Sequence, residues 1–191
     1  MRSRRIRIGL FFSSLALSLT AAAAELDLNV NNDAARLAYA WELPARNLRL
    51  DAAWLHHQDR GDVVHLGLHL TGEASSGPNP AMGGVGGRLI AIDASAVDLD
   101  GSALAIGGFV RYVLPRYNRV NLYGHAYFAP DVLGFGDADQ YKEVEARVGY
   151  NILRNADAYI GMRYISAGFD DDLGIDATID TGFMAGIQLR F

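Results

Sequence analysis

The chain of 191 residues carries 22 acidic and 17 basic residues, which gives a formal net charge of −5, and it contains no cysteine. An acidic protein with a single lysine, Lys142, and no basic cluster after its first residues is not built to bind nucleic acid, so we expect no nucleic-acid partner. The absence of cysteine excludes a disulfide framework and thiol chemistry.

The first 24 residues have the pattern of a secretory signal peptide. Four arginines among the first seven residues precede the apolar stretch 8–19, and residues 20–24 read Thr-Ala-Ala-Ala-Ala. This order of charged, apolar and small residues is typical of a cleaved signal, and the apolar stretch is short for a membrane anchor, which needs about 20 residues. We predict cleavage after Ala23 or Ala24. The remaining domain, 25–191, then has 13 basic and 22 acidic residues and a net charge of 13 − 22 = −9.

Ten segments of this domain alternate between apolar and polar or small side chains. In one of them, Val64, Leu66 and Leu68 occupy one face, and His65 and His69 occupy the other. Such a period of two predicts β-strands, and no run of 18 apolar residues predicts a transmembrane helix. The predicted strands are 25–30, 34–43, 48–57, 62–72, 81–93, 102–114, 120–128, 141–152, 157–167 and 177–191.

The connections between these strands also alternate in length, which predicts an antiparallel up-and-down barrel. Short turns at 44–47, 115–119 and 153–156 are typical of the periplasmic end of an outer-membrane barrel, and the longer loops 129–140 and 169–176 are typical of the outer end. Two connections fit less well, because 31–33 is short for an outer loop and 73–80 is long for a turn. Glycines also dilute the pattern of strand 81–93. Ten strands are predicted from the alternating connections, and eight is the alternative if the first hairpin or strand 81–93 is misassigned.

Periodicity alone does not decide which face of the barrel looks inward, because the charged face would equally coat a soluble barrel. The last strand favours the membrane: its apolar face ends on the aromatic final residue, which resembles the C-terminal assembly signal of bacterial outer-membrane barrels. That signal consists here of Phe183, Ile187, Leu189 and Phe191. It implies contact with the barrel-assembly machinery, and an outer-membrane location implies contact with membrane lipids and lipopolysaccharide. Aromatic residues suited to interfacial girdles are Trp41, Tyr112, Tyr150 and Tyr164.

Several stretches in the second half of the chain carry a family resemblance. They are Val120–Gly124, the run Tyr-Phe-Ala-Pro-Asp-Val-Leu at 127–133, Phe135–Asp137, Glu145–Tyr150 and Ile179–Phe183. With these motifs the chain resembles the YfaZ family of predicted outer-membrane proteins. The resemblance implies an outer-membrane barrel and no established activity.

On the barrel reading, many charged side chains face the lumen, where they must be paired to be tolerated. A filled, structural interior and a narrow polar pore are the two interpretations. The filled interior is favoured because small barrels are packed by their own side chains. The predicted interior polar network consists of Arg36, Glu42, Arg88, Arg111, His125, Glu143, Glu145, Arg147, Arg163 and Arg190.

No catalytic, cofactor-binding or metal-binding residues are predicted. His65 and His69 lie about 13 Å apart along an extended strand, which is too far to share one metal ion. A lipid-modifying hydrolase built on Ser102 and His125 is an alternative, although no serine neighbours a histidine in the sequence. The acidic run Asp170–Asp172 with Asp176 could bind Ca²⁺ but lacks the EF-hand spacing. A surface binding protein that acts through loops 129–140 and 169–176 is a further alternative.

Overall fold

The structure is a computed structural model that describes residues 23–43, 46–76, 81–94, 99–136, 138–169 and 175–191. Most of the predicted signal peptide, residues 1–22, lies outside the described residues. The same holds for parts of the predicted turns 44–47 and 73–80 and for the acidic run Asp170–Asp172. In the part of the chain that is described, no helix is long and apolar enough to cross a membrane.

The described chain is almost entirely β-strand, because alternating apolar and polar residues give each segment one face for each side of a sheet. A 3₁₀ turn spans Asp131–Leu133. The strands are β1 Ala23–Val30, β2 Ala34–Leu43, β3 Leu48–His57, β4 Gly61–Glu73, β5 Met82–Ala94, β6 Leu99–Val113, β7 Val120–Ala129, β8 Gly134–Gly136, β9 Ala138–Leu153, β10 Ala156–Phe169 and β11 Ile175–Arg190.

Ten of these strands close into an antiparallel barrel. Each pairs with its neighbours in the order β5-β4-β3-β2-β1-β11-β10-β9-β7-β6, and the pairing of β5 with β6 completes the ring. The first hairpin and the glycine-rich strand both belong to the ring. The prediction of ten strands is therefore confirmed, and the alternative of eight is wrong.

The glycines of β5 have a steric reason that the sequence pattern did not reveal. Gly86 faces inward between His69 on β4 and Gly107 on β6. A Cβ atom at Gly86 would overlap the carbonyl oxygen of Leu68 and approach the His69 ring to 2.9 Å. Glycine therefore lets the strands and an inward aromatic ring come close at this point of a narrow barrel.

The start of β1 and the end of β11 lie at one end of the barrel, which we call the terminal end; the opposite end is the distal end. At the terminal end, the backbone N–H of Phe191 donates to the carbonyl of Ala24 over 2.9 Å. At the distal end, the predicted loop 129–140 is wrong in part, because it contains the 3₁₀ turn, β8 and the start of β9. Strand β8 lies outside the ring and pairs with residues 101–103 of β6, beyond the point where β7 ends.

The connection 31–33 is as short as the sequence indicates. The side-chain oxygen of Asn31 accepts from the backbone N–H of Asp33 over 2.9 Å, which tightens the turn. Strand β11 extends past this turn at the distal end. Val30, the last residue of β1, pairs with Ala185, whereas β11 already begins at residue 175. Asn31 links the turn to this extended part of β11, because its side-chain amide donates to the Asp180 carboxylate over 2.7 Å.

Candidate functional site: the barrel interior

Strand alternation sends most polar side chains of the barrel into the lumen and most large apolar side chains outward. Leu66 and Leu70 of β4 are 62% and 63% exposed, whereas the preceding residues on the other face, His65 and His69, are 4% and 1% exposed. The charged lumen residues form two groups that no ion pair among the described residues joins. The deep network consists of Asp27, Arg36, Asp51, Arg88, Glu143, Glu145, Arg147, Arg163 and Asp180 with His65, His69 and His125. The mouth network consists of Glu25, Glu42, Arg49, Arg111, Asp157 and Arg190.

Glu143 on β9 is a centre of the deep network. Its carboxylate accepts from Arg88 at 3.3 Å, and it contacts His125 at 2.9 Å. The Tyr141 hydroxyl donates to the same carboxylate over 3.0 Å. Glu143 is 1% exposed, so these partners replace the water that a buried carboxylate would otherwise require. Such a group is held in place by its surroundings and is not free to take up a ligand.

Asp51 on β3 is a second centre, and it joins both histidines of β4. Its carboxylate contacts His65 at 2.8 Å, His69 at 3.0 Å and Arg88 at 3.0 Å. The residue opposite Asp51 on β4 is Gly67. A Cβ atom at Gly67 would overlap Asp51, so the missing side chain provides the space for the carboxylate. The two histidines thus meet at one carboxylate.

Aromatic rings hold the arginines of the deep network from the side. The Arg147 guanidinium lies between the rings of Tyr123 and Tyr159, at 4.1 Å and 4.4 Å from their centroids. Arg88 lies 3.7 Å from the ring centroid of Tyr127. A cation over an aromatic face gains electrostatic attraction, and the gain is larger away from water. The planar guanidinium groups are therefore fixed on two sides, by carboxylates and by rings.

The mouth network lies closer to the terminal end and is more open to water. The side chains of Glu42 and Arg190 are 37% and 26% exposed, whereas those of Glu145 and Arg163 in the deep network are fully buried. Arg111 links the network by pairing with Glu25 at 3.1 Å and with Asp157 at 2.9 Å. Exposure therefore falls from the terminal end towards the middle of the lumen.

Apolar side chains gather in the distal half of the lumen, beside the deep network, which the sequence reasoning did not predict. Inward side chains of every strand except β1, β2 and β8 meet there in one buried cluster. Its largest members are completely or almost completely buried. The cluster consists of Leu55, Val63, Ile90, Ile92, Ala94, Ala103, Ala105, Tyr127, Ala129, Ala138, Tyr141, Ile165, Ala167 and Ile179. We call this cluster the distal layer.

A small polar cavity of about 30 Å³ remains between the deep and mouth networks. Arg36, Arg49, Arg88 and Arg147 line it together with acidic side chains, and the inward Ala38 and Ala40 of β2 leave it open. This volume suffices for one or two water molecules. It does not amount to a channel.

Every residue of the predicted interior network faces the lumen, but the structure divides them. Arg36, Arg88, His125, Glu143, Glu145, Arg147 and Arg163 belong to the deep network, while Glu42, Arg111 and Arg190 belong to the mouth network. The prediction omitted several carboxylates that complete these pairs, although their strand alternation places them on the same inward faces. These are Glu25, Asp27, Asp51, Asp157 and Asp180.

The described residues give no geometry for the hydrolase built on Ser102 and His125, and the acidic run Asp170–Asp172 considered for Ca²⁺ lies outside them. Ser102 lies on the outward face of β6, two residues before the exposed Leu104, whereas His125 is buried in the lumen. The pair on which a hydrolase was considered is therefore on opposite faces of the wall. Within the described ranges, no three histidine, aspartate or glutamate side chains are arranged to hold a metal ion. The four-residue spacing of His65 and His69 places both rings against Asp51: His65 hydrogen-bonds its carboxylate, and His69 contacts the carboxylate and hydrogen-bonds the Tyr127 hydroxyl.

A closed antiparallel barrel of ten strands, with an apolar outer wall and a polar lumen, is the architecture of bacterial outer-membrane β-barrel proteins. The protein is of this class. The family model described as YfaZ precursor matches residues 3–191, which is nearly the whole chain. The chain belongs to the YfaZ family.

A curated relative agrees with this assignment. The chain is 31% identical over 144 residues to the Outer membrane protein YfaZ of Escherichia coli (strain K12), and the match covers 75% of each chain. The protein is accordingly located in the outer membrane, and its family carries no enzymatic name. A solved structure described as "Unveiling the Mechanism Behind the in-meso Crystallization of Membrane Proteins" is 11% identical, with a TM-score of 0.44 over 89% of this chain and 83% of that one. That score is too low to carry an inference.

Proposed function

We propose that this protein is a closed envelope barrel that neither conducts ions nor catalyses a reaction. The observation that carries the proposal is the distal layer, in which Ile90, Tyr141 and Ile179 are each 0% exposed. An ion that crosses the lumen would have to leave water and pass these apolar side chains. Such a transfer is costly without compensating partners.

The deep network supports the same function. Its charges are paired with each other, as in the contact of Arg163 with Asp180 at 2.6 Å, so they do not form a ring of one sign that would attract a permeating ion. Its four arginines face five carboxylates, which leaves the network close to neutral. A lumen filled in this way stabilises a barrel and holds its strands in register.

Planar-bilayer conductance of the refolded barrel tests the proposal. We expect no discrete steps from the wild-type protein. A variant in which Ile90, Ile165 and Ile179 are all replaced by alanine should open the distal layer and show steps. The control replaces Leu66, Leu68 and Leu70 by alanine on the outward face of β4 and should stay silent. Discrete steps from the folded wild-type barrel would contradict a closed lumen, and heat-modifiable gel mobility checks folding in every case.

The absence of catalysis is proposed from the same geometry. His65, His69 and His125 are engaged with Asp51, Tyr127 and Glu143, and no serine hydroxyl lies among these contacts. A general base must reach the proton of its nucleophile to act. Incubation of the refolded barrel with phospholipid and with lipid A should release no fatty acid, and release that disappears in His125→Gln would contradict this part of the proposal.

A further inference from the structure

The outer wall carries an apolar groove that the proposed function does not use. It has a volume of about 750 Å³ and crosses five neighbouring strands, from β7 through β9, β10 and β11 to β1. Adjacent strands of a sheet lie about 4.8 Å apart, so the groove is about 19 Å long.

The groove exists because two alanines replace large residues at diagonal positions. Ala158 on β10 pairs with Ile187 on β11, and Ala185 on β11 pairs with Ile160 on β10. Large side chains flank both alanines, since Tyr150 pairs with Ala158 and Val30 pairs with Ala185. The small residues thus form a continuous floor between apolar walls.

The direction of the groove fits a lipid that enters from one membrane surface. On β7 the groove is lined by Val120, which is the first residue of that strand and lies at the terminal rim. On β1 it is lined by Leu28 and Val30, near the distal end of that strand. The groove therefore climbs from the terminal rim towards the middle of the wall. One leaflet is about half of the 30 Å hydrocarbon core, or about 15 Å deep, so a tilted groove of this length would span it.

The rim where the groove begins is positively charged. Arg119 directly precedes Val120, and its carbonyl accepts from the backbone N–H of Asn151 over 2.8 Å, which fixes the position of its backbone. Among the described residues outside the lumen, the terminal end carries the exposed arginines Arg46, Arg116, Arg119 and Arg154, and Glu73 is the one acidic side chain there. Arginine binds phosphate through paired, charge-assisted hydrogen bonds.

We propose that the outer wall holds one anionic phospholipid of the leaflet at the terminal end. One of its acyl chains lies in the groove over Ala158 and Ala185, and its phosphate lies beside Arg119. This inference goes beyond the closed-barrel function and does not depend on it. An acyl chain fits because the lining is apolar and open to the membrane along its length, and a negative headgroup fits because this rim is basic.

Native mass spectrometry of the refolded barrel tests the site with dioleoyl phosphatidylglycerol, dioleoyl phosphatidylethanolamine and hexa-acylated lipid A as probes. We expect one phosphatidylglycerol to be retained and the other two probes to be lost. Ala185→Phe fills the groove and should abolish retention, whereas Ala91→Phe, an outward alanine on β5 away from the groove, should leave it unchanged. Ala158→Leu provides a second, milder filling variant, and heat-modifiable mobility shows that each variant is folded.

The headgroup has its own control. Arg119→Ala should weaken phosphatidylglycerol retention about tenfold, the scale of one hydrogen bond to a charged group, while Arg46→Ala on the turn before β3 should not. Equal retention of phosphatidylglycerol and phosphatidylethanolamine, preferential retention of lipid A, or retention that survives both filling variants would each overturn the proposal. A conducting wild-type barrel would refute the closed lumen without affecting this test.

Discussion

Single residues decide whether the charged interior can be packed. Asp51 contacts two histidines and an arginine, and it fits only because Gly67 stands opposite it. Gly67→Ala places a methyl group where the Asp51 carboxylate lies, so the carboxylate must move away from its partners. We expect a loss of about 2 kcal/mol in the free energy of unfolding, as is typical of overpacking at a buried site. Urea unfolding followed by the fluorescence of Trp41 and Trp54 measures it.

The same strand provides the control for this substitution. A Cβ atom at Gly72 would meet nothing within 4 Å, so Gly72→Ala changes the chain in the same way without displacing a neighbour. Equal stability of Gly67→Ala and Gly72→Ala would contradict the role assigned to Asp51. If Gly67→Ala lowers the free energy of unfolding and the double variant with His65→Gln is no less stable, the two residues act as one coupled unit.

At the scale of the element, β11 is expected to act before the barrel is complete. The Phe191 side chain is 71% exposed on the outer wall, so it contributes little to the finished fold. If the assembly machinery recognises the final strand, Phe191→Ala should lower the amount of barrel in the outer membrane of cells. The free energy of unfolding of the Phe191→Ala barrel refolded in vitro should stay within about 0.5 kcal/mol of the wild type, as for surface substitutions.

Ile160→Ala on the outward face of β10 is the matched control, because Ile160 is 70% exposed but lies outside the final strand. Immunoblots of outer-membrane fractions compare the two variants. If Phe191→Ala assembles as well as Ile160→Ala, the final residue is not part of an assembly signal. A large loss of refolded stability would instead make Phe191 a packing residue of the wall.

Strands were predictable from the sequence because alternation is a local property, and it divides the side chains of each strand between two faces. Which face looks inward did not follow from alternation alone and was inferred from the signal peptide and the last strand. Partners across the lumen were not predictable: Arg36 pairs with Glu145, 109 positions later in the sequence, and this contact depends on how the closed sheet staggers its strands.

The distal layer was missed for another reason. Residues such as Ile165 and Ile179 break the polar inner pattern near strand ends, where a short run of exceptions looks like noise. The 3₁₀ turn and β8 were missed because Gly134 and Gly136 suggest a loop.

The whole molecule separates its charges along the barrel axis. Seven lumen arginines face eight lumen carboxylates, so the lumen contributes 7 − 8 = −1 to the net charge. The exposed arginines lie at the terminal end. Described residues of the distal end carry mostly carboxylates: Asp33, Asp59, Asp62, Asp93, Asp100, Asp131 and Asp139. The excess negative charge of the protein therefore lies outside the lumen. Because arginines lie at the terminal end and carboxylates at the distal end, the two ends of the barrel differ in charge.

These two ends give a test of orientation in the membrane. An even number of strands places both termini at one end, which is periplasmic in bacterial barrels with short turns at that end. Because the chain has no cysteine, Val132→Cys at the distal end and Tyr117→Cys at the terminal end each introduce a single thiol, at side chains that are 82% and 63% exposed. A membrane-impermeant maleimide applied to intact cells should label the cysteine at 132 and spare the one at 117. Permeabilising the outer membrane should make both reactive, which shows that the second thiol is accessible in the folded barrel. Labelling of the cysteine at 117 in intact cells would reverse the orientation, and the arginine-rich rim would then face the outer leaflet.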